Sequence, residues 1–335
     1  MTDSSVILVL AIAAMLDYLI GDPWEWLHPV QVMGWAIGQY TRLAFQWFQT
    51  PQSLKLLGIL LAILLIFGSG FTSWLILQVI RSIPLQFPLH PILDIGVQSI
   101  MLASCFALRS LRQAAEDVLH PLHDGDLIKA RQQLSLYVGR DTTDLSESEI
   151  LRAVLETVAE NSTDGIIAPL FYALVGVAIP GIGSVPFAFA YKAASTLDSM
   201  VGYKEAPYTD IGWFSAKLED ILTWLPCRLN TLLIAIVSGK PRSVWTICQR
   251  DAIYDPSPNA GWSECAYAAT LNVQLGGVNK YKGIIKHKPL LGDFISPITP
   301  AIVHQALQLT RKTFLIELGV FILGYGVIGL IVNRF

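Results

Sequence analysis

The chain of 335 residues is 53% hydrophobic and 15% charged, with a formal net charge of −3. Soluble globular domains carry about 25% charged residues, so the low charge content indicates a protein that faces lipid. The slightly acidic balance excludes a broad basic surface, and hence nucleic acid as a partner. Four cysteines without CxxC spacing predict buried apolar thiols rather than a disulfide framework or a zinc site.

The first apolar segment covers residues 4–20. No Lys or Arg precedes it, and no clear small-x-small cleavage motif follows it. These features predict an uncleaved membrane segment, with a removed signal peptide as the less favoured alternative.

Two later segments are clear membrane spans. Residues 56–80 contain no charged side chain, and they exceed the roughly 20 residues that cross a hydrocarbon core of about 30 Å. Residues 313–332 form the second span, with Glu317 as its one acid. The shorter segment 92–108 is predicted either to span or to pack as an interfacial helix.

Two further apolar segments are interrupted. Residues 166–191 contain two prolines and two glycines between positions 180 and 186, which one straight helix does not accommodate. The sequence predicts either a helical hairpin there or a helix that breaks at membrane depth. Residues 221–237 are a weaker candidate span, because Pro226 and Arg228 lie near the start.

Polar regions separate these spans at 109–165, 192–220 and 238–312. The last holds nine Lys and Arg against four acids, which marks it as cytoplasmic. We therefore predict an all-α fold, a polytopic transmembrane helical bundle with about 4–7 membrane segments, some broken or re-entrant. Its polar helical regions lie on the cytoplasmic side. We predict one domain over residues 1–335, inserted multi-pass in the lipid bilayer of the cell (inner or plasma) membrane.

An acidic helix precedes the interrupted segment. Ser146 and Glu149 have capping-box spacing, which predicts a helix start. The charged positions that follow recur every three or four residues and share one helix face. They are Glu149, Arg152, Glu156, Glu160 and Asp164.

A solvated stripe would explain this face in a soluble protein. Here it leads directly into apolar residues, where an acid costs about 2.5–3.5 kcal/mol at the bilayer centre and usually has a function. We therefore favour a functional interpretation. Carboxylates with a neighbouring amide at Asn161 suit Mg²⁺.

The remaining polar blocks are less specific. Lys192, beside several hydroxyls, is equally compatible with snorkelling to the interface and with phosphate binding. Asp17 lies inside the first span, and Asp22 and His28 each precede a proline, which favours a structural turn. Residues 255–283 are rich in Gly and Asn, which would allow backbone to approach a ligand. No GxxxxGK[ST], GxGxxG, HExxH or GxSxG motif occurs.

Six stretches, in this order, resemble the CobD/CbiB family of cobalamin biosynthesis, the adenosylcobinamide-phosphate synthases. They are LDYLIGDP…HPVQVMG (16–34), YVGRDT (137–142), ETVAENSTDGIIAPLFYALVG (156–176), AYKAASTLDSMVGY (190–203), AKLEDILTWLPCRL (216–229) and DPSPNAGW…LGGVNKYKG (255–283). Residues 209–214 and 263–265 look less typical of the family, so no role is carried over to them.

The resemblance implies an integral membrane ligase. Such an enzyme joins the free propionate of a corrinoid, adenosylcobyric acid, to aminopropanol or its phosphate, with ATP as co-substrate. ATP is expected to convert the carboxylate to an acyl phosphate that the amine attacks, which requires Mg²⁺, cations and a base. Other membrane enzymes of the cobalamin pathway are candidate partners.

We assign candidate roles on this basis. The residues predicted to handle the metal or the amine are Glu156, Glu160, Asn161 and Asp164, with Glu160 and Asp164 as the metal ligands. The cations predicted to contact phosphate are Lys192, which is assigned to catalysis, and Arg140. The other substrate-binding candidates are Asp141, Asp198, Asp220, Asp17, Asp22 and His28.

Three other functions are possible for such a chain. A transporter would be expected to carry an internal inverted repeat, and none is found. A CDP-alcohol phosphotransferase would carry a DGxxAR motif, whereas Asp164-Gly165 is followed by Ile-Ile-Ala-Pro. A non-catalytic membrane sensor of related fold would lack dependence on metal and ATP.

Overall fold

The computed structural model describes residues 3–21, 28–84 and 88–332. The chain is mostly helical, as predicted, and it also contains a two-stranded sheet that was not predicted. The α-helices are α1 (Asp3–Leu19), α2 (Pro29–Trp47), α3 (Pro51–Ser82), α4 (Leu89–Ala103), α5 (Leu108–His123), α6 (Leu127–Leu134), α7 (Glu147–Ser162), α8 (Ala168–Val177), α9 (Ser184–Val201), α10 (Trp213–Val237), α11 (Pro241–Asp251), α12 (Ala260–Leu271) and α13 (Pro300–Val332). A π-helical turn (Thr163–Ile167) joins α7 to α8. A 3₁₀ turn (Ala252–Tyr254) follows α11.

Three helical stretches in the described part of the chain are long and apolar enough to cross a membrane. They are α3, the stretch Leu89–His123 that begins with α4, and α10. The predicted spans 56–80, 92–108 and 221–237 fall within them, although α4 itself ends at Ala103 and a turn precedes α5. The first predicted span is a shorter apolar helix, Ser5–Leu19.

The chain forms two compact units, each built from separate stretches. The first consists of Met1–Ala107, Ala168–Leu222 and Leu318–Phe335, and the second of Leu108–Ile167 and Thr223–Glu317. The prediction of a single domain stays a prediction. All four cysteines are free and buried, which confirms their predicted apolar role.

In the first unit, the interrupted apolar segment is a helical hairpin of α8 and α9. Gly181 and Gly183 have φ angles of +83° and +89°, which the turn between the helices requires. The rings of Tyr172 and Tyr191 stack across the hairpin with centroids 4.9 Å apart. Helix α8 is about 15 Å long at 1.5 Å per residue, so it covers by itself about half of the hydrocarbon core.

Gly176 makes this hairpin possible, because a Cβ there would overlap the carbonyl oxygen of Gly183. We expect Gly176→Ala to lower the free energy of unfolding by about 1–3 kcal/mol through overpacking. A Cβ at Gly68, which is also helical, would meet nothing within 4 Å, so Gly68→Ala should be neutral or slightly stabilising. The two variants can be compared by thermal unfolding in detergent. Equal melting temperatures for Gly176→Ala and Gly68→Ala would contradict the packing argument.

Helix α9 runs antiparallel to α3. Early in α9, the carbonyl oxygen of Pro186 lies 3.2 Å from the position of a Cβ at Gly70. Late in α9, Leu197 joins a buried cluster with Leu61. Lys192, between these two contacts, is therefore half-buried along the flank of a membrane-spanning helix.

The second unit is organised around α7. Its buried face includes Ile150, Leu155 and Val158, against which α5, α6 and α12 pack. The predicted capping box is confirmed, since the Ser146 hydroxyl and the Glu149 carboxylate each accept from the other's backbone N–H. The π-helical turn then carries Asp164. Such turns are frequent at functional sites.

The sheet is a hairpin of β1 (Leu275–Tyr281) and β2 (Ile284–Leu291). Lys282 and Gly283 form its two-residue turn with φ angles of +50° and +80°, as in a type I′ turn. The ladder is shifted at Gly276. Its φ of +83° and the nearby carbonyl of Pro289, which a Cβ would overlap, both require glycine.

Candidate active site

Glu156 is the centre of a buried ion network in the second unit. Its carboxylate is 2% exposed and forms a close ion pair with Arg140. It also accepts from Arg152 at 3.1 Å and from the backbone N–H of Gly276 at 2.9 Å. Because a buried charge is tolerated only when it is paired and hydrogen-bonded, this network fixes α7 to the β-hairpin.

Asn279 on β1 completes the network. Its side-chain oxygen accepts from Arg140 at 2.9 Å and from Arg152 at 3.0 Å. Arg152 also donates to the carbonyl oxygen of Val278 at 2.9 Å. Arg140 is therefore engaged in holding the hairpin, and its predicted contact with phosphate stays a prediction.

Asp141 has a structural role in the same region. Its carboxylate accepts from the backbone N–H groups of Lys282 and Gly283 at 3.0 and 2.8 Å. Both oxygens thus stabilise the type I′ turn, and the predicted substrate contact of Asp141 stays a prediction.

A second buried pair joins α12 to β2. The Lys288 ammonium donates to the fully buried Glu264 carboxylate at 2.9 Å, while the other oxygen of Glu264 has no hydrogen-bond partner among the described residues. Burial raises the pKa of Glu264 to about 8, against the opposing effect of Lys288. Burial lowers the pKa of Lys288, but the neighbouring glutamates outweigh this and raise it above its ordinary value.

This pair predicts a pH dependence of stability. Glutamates in the unfolded chain titrate near 4.3, whereas folded Glu264 keeps its proton up to about pH 8. The folded state therefore binds more protons in this window, and stability should fall as the pH rises from about 5 to 8. Lys288 keeps its positive charge throughout this pH window. Melting temperatures measured across the window should depend less on pH in Glu264→Gln, and an unchanged slope would contradict the assignment.

Glu160 is the accessible acid of this region. Its side chain is exposed, and no described residue engages its carboxylate in a hydrogen bond or ion pair within 4 Å. Desolvation by the surrounding protein nevertheless raises the pKa of this carboxyl group, against the opposing charge of Lys288. Solvent or a ligand thus reaches a carboxylate that holds its proton more tightly than usual. The exposed Asn161 next to it donates to the carbonyl oxygen of Thr157 at 3.0 Å.

A buried polar network holds the π-helical turn. The Asn230 amide donates to the hydroxyls of Thr163 at 2.9 Å and Ser162 at 3.3 Å. The Thr163 hydroxyl also bonds to Ser263 at 2.9 Å. The network fixes the backbone immediately before Asp164, which is half-buried.

Arg228 lies between two indole rings of the same unit. Its guanidinium carbon is 5.1 Å from the ring centroid of Trp224 and 4.6 Å from that of Trp262. It also donates to the side-chain oxygen of Asn259 at 3.1 Å. Both contacts are cation–π interactions, which hold the guanidinium between the two rings.

The other predicted site residues belong to the first unit. They are Lys192 and Asp198 on α9, Asp17 on α1, Asp220 on α10 and His28. The His28 ring accepts from the backbone N–H of Val30 and caps α2, in agreement with the favoured turn role. Asp22 lies outside the described residues. The predicted association of Lys192 with the acids of α7 stays a prediction.

Sequence reasoning missed Glu264, Lys288 and Asn279, and it gave Arg152 no role. Only Glu264 had a signal in the sequence, as a single acid among the small residues of α12. Across the described ranges, no group of three or more His, Cys, Asp or Glu side chains forms a metal site. Glu160 and Asp164 could contribute carboxylate ligands to a site completed by water and substrate oxygens.

Comparisons with known proteins place the chain in a family. The model of the CobD/Cbib protein family matches residues 10–310. A cobalamin biosynthesis protein CobD of Synechocystis sp. is 53% identical over 312 residues, covering 93% of this chain and 90% of that protein. A cobalamin biosynthesis protein CbiB of Salmonella arizonae is 39% identical over 320 residues, covering 94% and 96%. No solved structure matches. The chain therefore belongs to the CobD/CbiB protein family.

Proposed function

We propose that the chain is an ATP-dependent amide ligase of cobalamin biosynthesis. It would join the free propionate of adenosylcobyric acid to aminopropanol or its phosphate, in the inner or plasma membrane. Its relatives are named cobalamin biosynthesis proteins. The observation that carries the proposal is the accessible Glu160 carboxylate, next to an ion network that fixes the surrounding backbone.

The reaction requires activation of a carboxylate. A propionate oxygen attacks the γ-phosphorus of ATP, and ADP leaves. The amine nitrogen then attacks the carbonyl carbon of the acyl phosphate, the C–O bond to phosphate breaks, and inorganic phosphate is released. The nitrogen loses a proton to a base, and the developing phosphate charge needs nearby cations.

The residues of this chain suit these steps. Glu160 can bind the substrate ammonium and accept its proton, since its raised pKa makes it a better base than an ordinary glutamate. Lys288 is partly exposed and provides positive charge near Glu160. The phosphate contact predicted for Lys192 stays a prediction.

The donor chemistry fits Mg²⁺. Carboxylate oxygens are its preferred protein ligands, and it commonly retains water and shares substrate phosphates. Glu160 and Asp164 would hold it, one helical turn apart along the chain. When bound, the ion would neutralise the phosphate oxygens of ATP.

The test uses the purified protein in detergent or nanodiscs. It is incubated with adenosylcobyric acid, ATP and Mg²⁺, together with aminopropanol in one arm and aminopropanol phosphate in the other. Mass spectrometry should detect an amidated corrinoid and an equal molar amount of ADP. The arm that yields more product identifies the preferred amine. Corrinoid binding without product in both arms would contradict the proposal and would instead support a sensor or a transporter.

A further inference from the structure

A polar cavity of about 210 Å³ lies in the first unit where the C-terminal end of α3 meets α4 and the α8–α9 turn. Its polar lining includes Arg81, Gln98 and Ser184, of which Gln98 and Ser184 are buried. The Arg81 guanidinium is held by Asp94 at 3.1 Å. The cavity therefore presents an oriented cation together with buried hydrogen-bonding groups.

An apolar groove of about 490 Å³ lies along α3 and α9 beside this cavity. Its walls include Ile66, Phe71, Trp74 and Phe187. Ile182 lines both the groove and the cavity. The Trp74 indole donates to the carbonyl oxygen of Gly181, a cavity residue, at 3.3 Å. The two spaces are thus adjacent, with one polar and the other apolar.

Their arrangement follows the polarity of a lipid monolayer. Arg81 immediately follows the uncharged stretch 56–80 of α3, so it lies where the hydrocarbon core ends. Ile66 is fifteen residues earlier, about 22 Å away along the helix at 1.5 Å per residue. Along α3 the groove therefore begins at Trp74, about 10 Å from Arg81, and reaches across the middle of a hydrocarbon core about 30 Å thick. Ile182, which lines both spaces, connects the groove to the cavity. Basic pockets between membrane helices commonly bind lipid headgroups.

We propose that this composite site binds one phospholipid. Its phosphate contacts Arg81 in the polar cavity, and one acyl chain lies in the groove against Phe71 and Trp74. The Arg81–Asp94 pair orients the guanidinium, which can donate several N–H groups to phosphate oxygens. A free anion would leave the groove empty, and a hydrocarbon without phosphate would leave the polar cavity unfilled.

Native mass spectrometry tests the proposal on the full-length protein after removal of lipid. Titrations use phosphatidylglycerol, diacylglycerol with the same acyl chains, and glycerol phosphate. One phosphatidylglycerol should bind per chain, at least about tenfold more tightly than either fragment. Equal binding of diacylglycerol, or saturation by glycerol phosphate alone, would overturn the proposal. So would a dimer that occupies the groove instead of lipid.

Variants locate the site. Ala190→Leu narrows the groove, and Phe71→Ala removes a wall residue that is already 60% exposed, so the second variant should not disturb folding. Both should weaken phosphatidylglycerol binding about tenfold. Leu64→Ala, also on the exposed surface of α3 but outside the groove, is the matched control. Wild-type affinity in Phe71→Ala, or an equal loss in the control, would contradict the assignment.

Discussion

Replacing Glu160 with glutamine is expected to reduce amide formation by about 100-fold or more, since general-base catalysis contributes about 10²–10⁴-fold. Glutamine keeps the size and polarity of the side chain but cannot accept the amine proton or pair with an ammonium. The side chain is exposed, so its replacement leaves no buried group without a partner. The melting temperature should therefore stay at the wild-type value, and activity is measured as amidated corrinoid per unit time.

Glu147→Gln is the matched control, because Glu147 lies at the start of the same helix and is also exposed. It should retain full activity. Full activity in Glu160→Gln would remove Glu160 from the reaction. If the Glu160→Gln variant loses activity and its melting temperature also falls, Glu160 has a structural role instead.

The helical architecture was largely predictable because it depends on local sequence. The apolar run on α3, the capping box at Ser146 and the proline-glycine break before α9 each act over a few residues. The break left two alternatives open, a hairpin and a kinked helix. Gly176 decides between them, and its partner Gly183 cannot be identified from helix periodicity.

The β-hairpin was missed for physical reasons. β1 begins with Leu275 followed by two glycines, and β2 begins with two exposed isoleucines and contains Pro289. The turn is Lys-Gly rather than the usual Asn-Gly. No strict alternation of apolar and polar residues therefore marks either strand. Its position is fixed by distant side chains instead, especially Glu156, 120 residues from its partner Gly276.

The acidic face of α7 was predicted as one functional group, but its members have different environments. Periodicity places Glu156 and Glu160 on the same face, and it contains no information about Arg140 or Lys288. The structure separates a buried, fully paired carboxylate from an accessible one. The same residue type thus supports the fold at one position and remains available for chemistry one turn later.

Replacing Glu156 with alanine is expected to have the largest effect on stability, a loss of about 3–5 kcal/mol, because it leaves two buried arginines without their counter-ion. The carboxylate is 2% exposed and its partners Arg140 and Arg152 are 8% and 15% exposed, so solvent screens the pairs little. The variant should melt well below both the wild type and Glu160→Gln in a detergent-based unfolding assay.

A compensating variant separates charge pairing from packing. Replacing Glu156, Arg140 and Arg152 together with Met or Leu side chains removes all three charges, and apolar replacement of a buried ion network is often neutral or stabilising. We expect the triple variant to recover much of the stability lost in Glu156→Ala. If Glu156→Ala itself unfolds at the wild-type temperature, the network does not hold α7 to the hairpin, and the fixed backbone proposed around Glu160 loses its support.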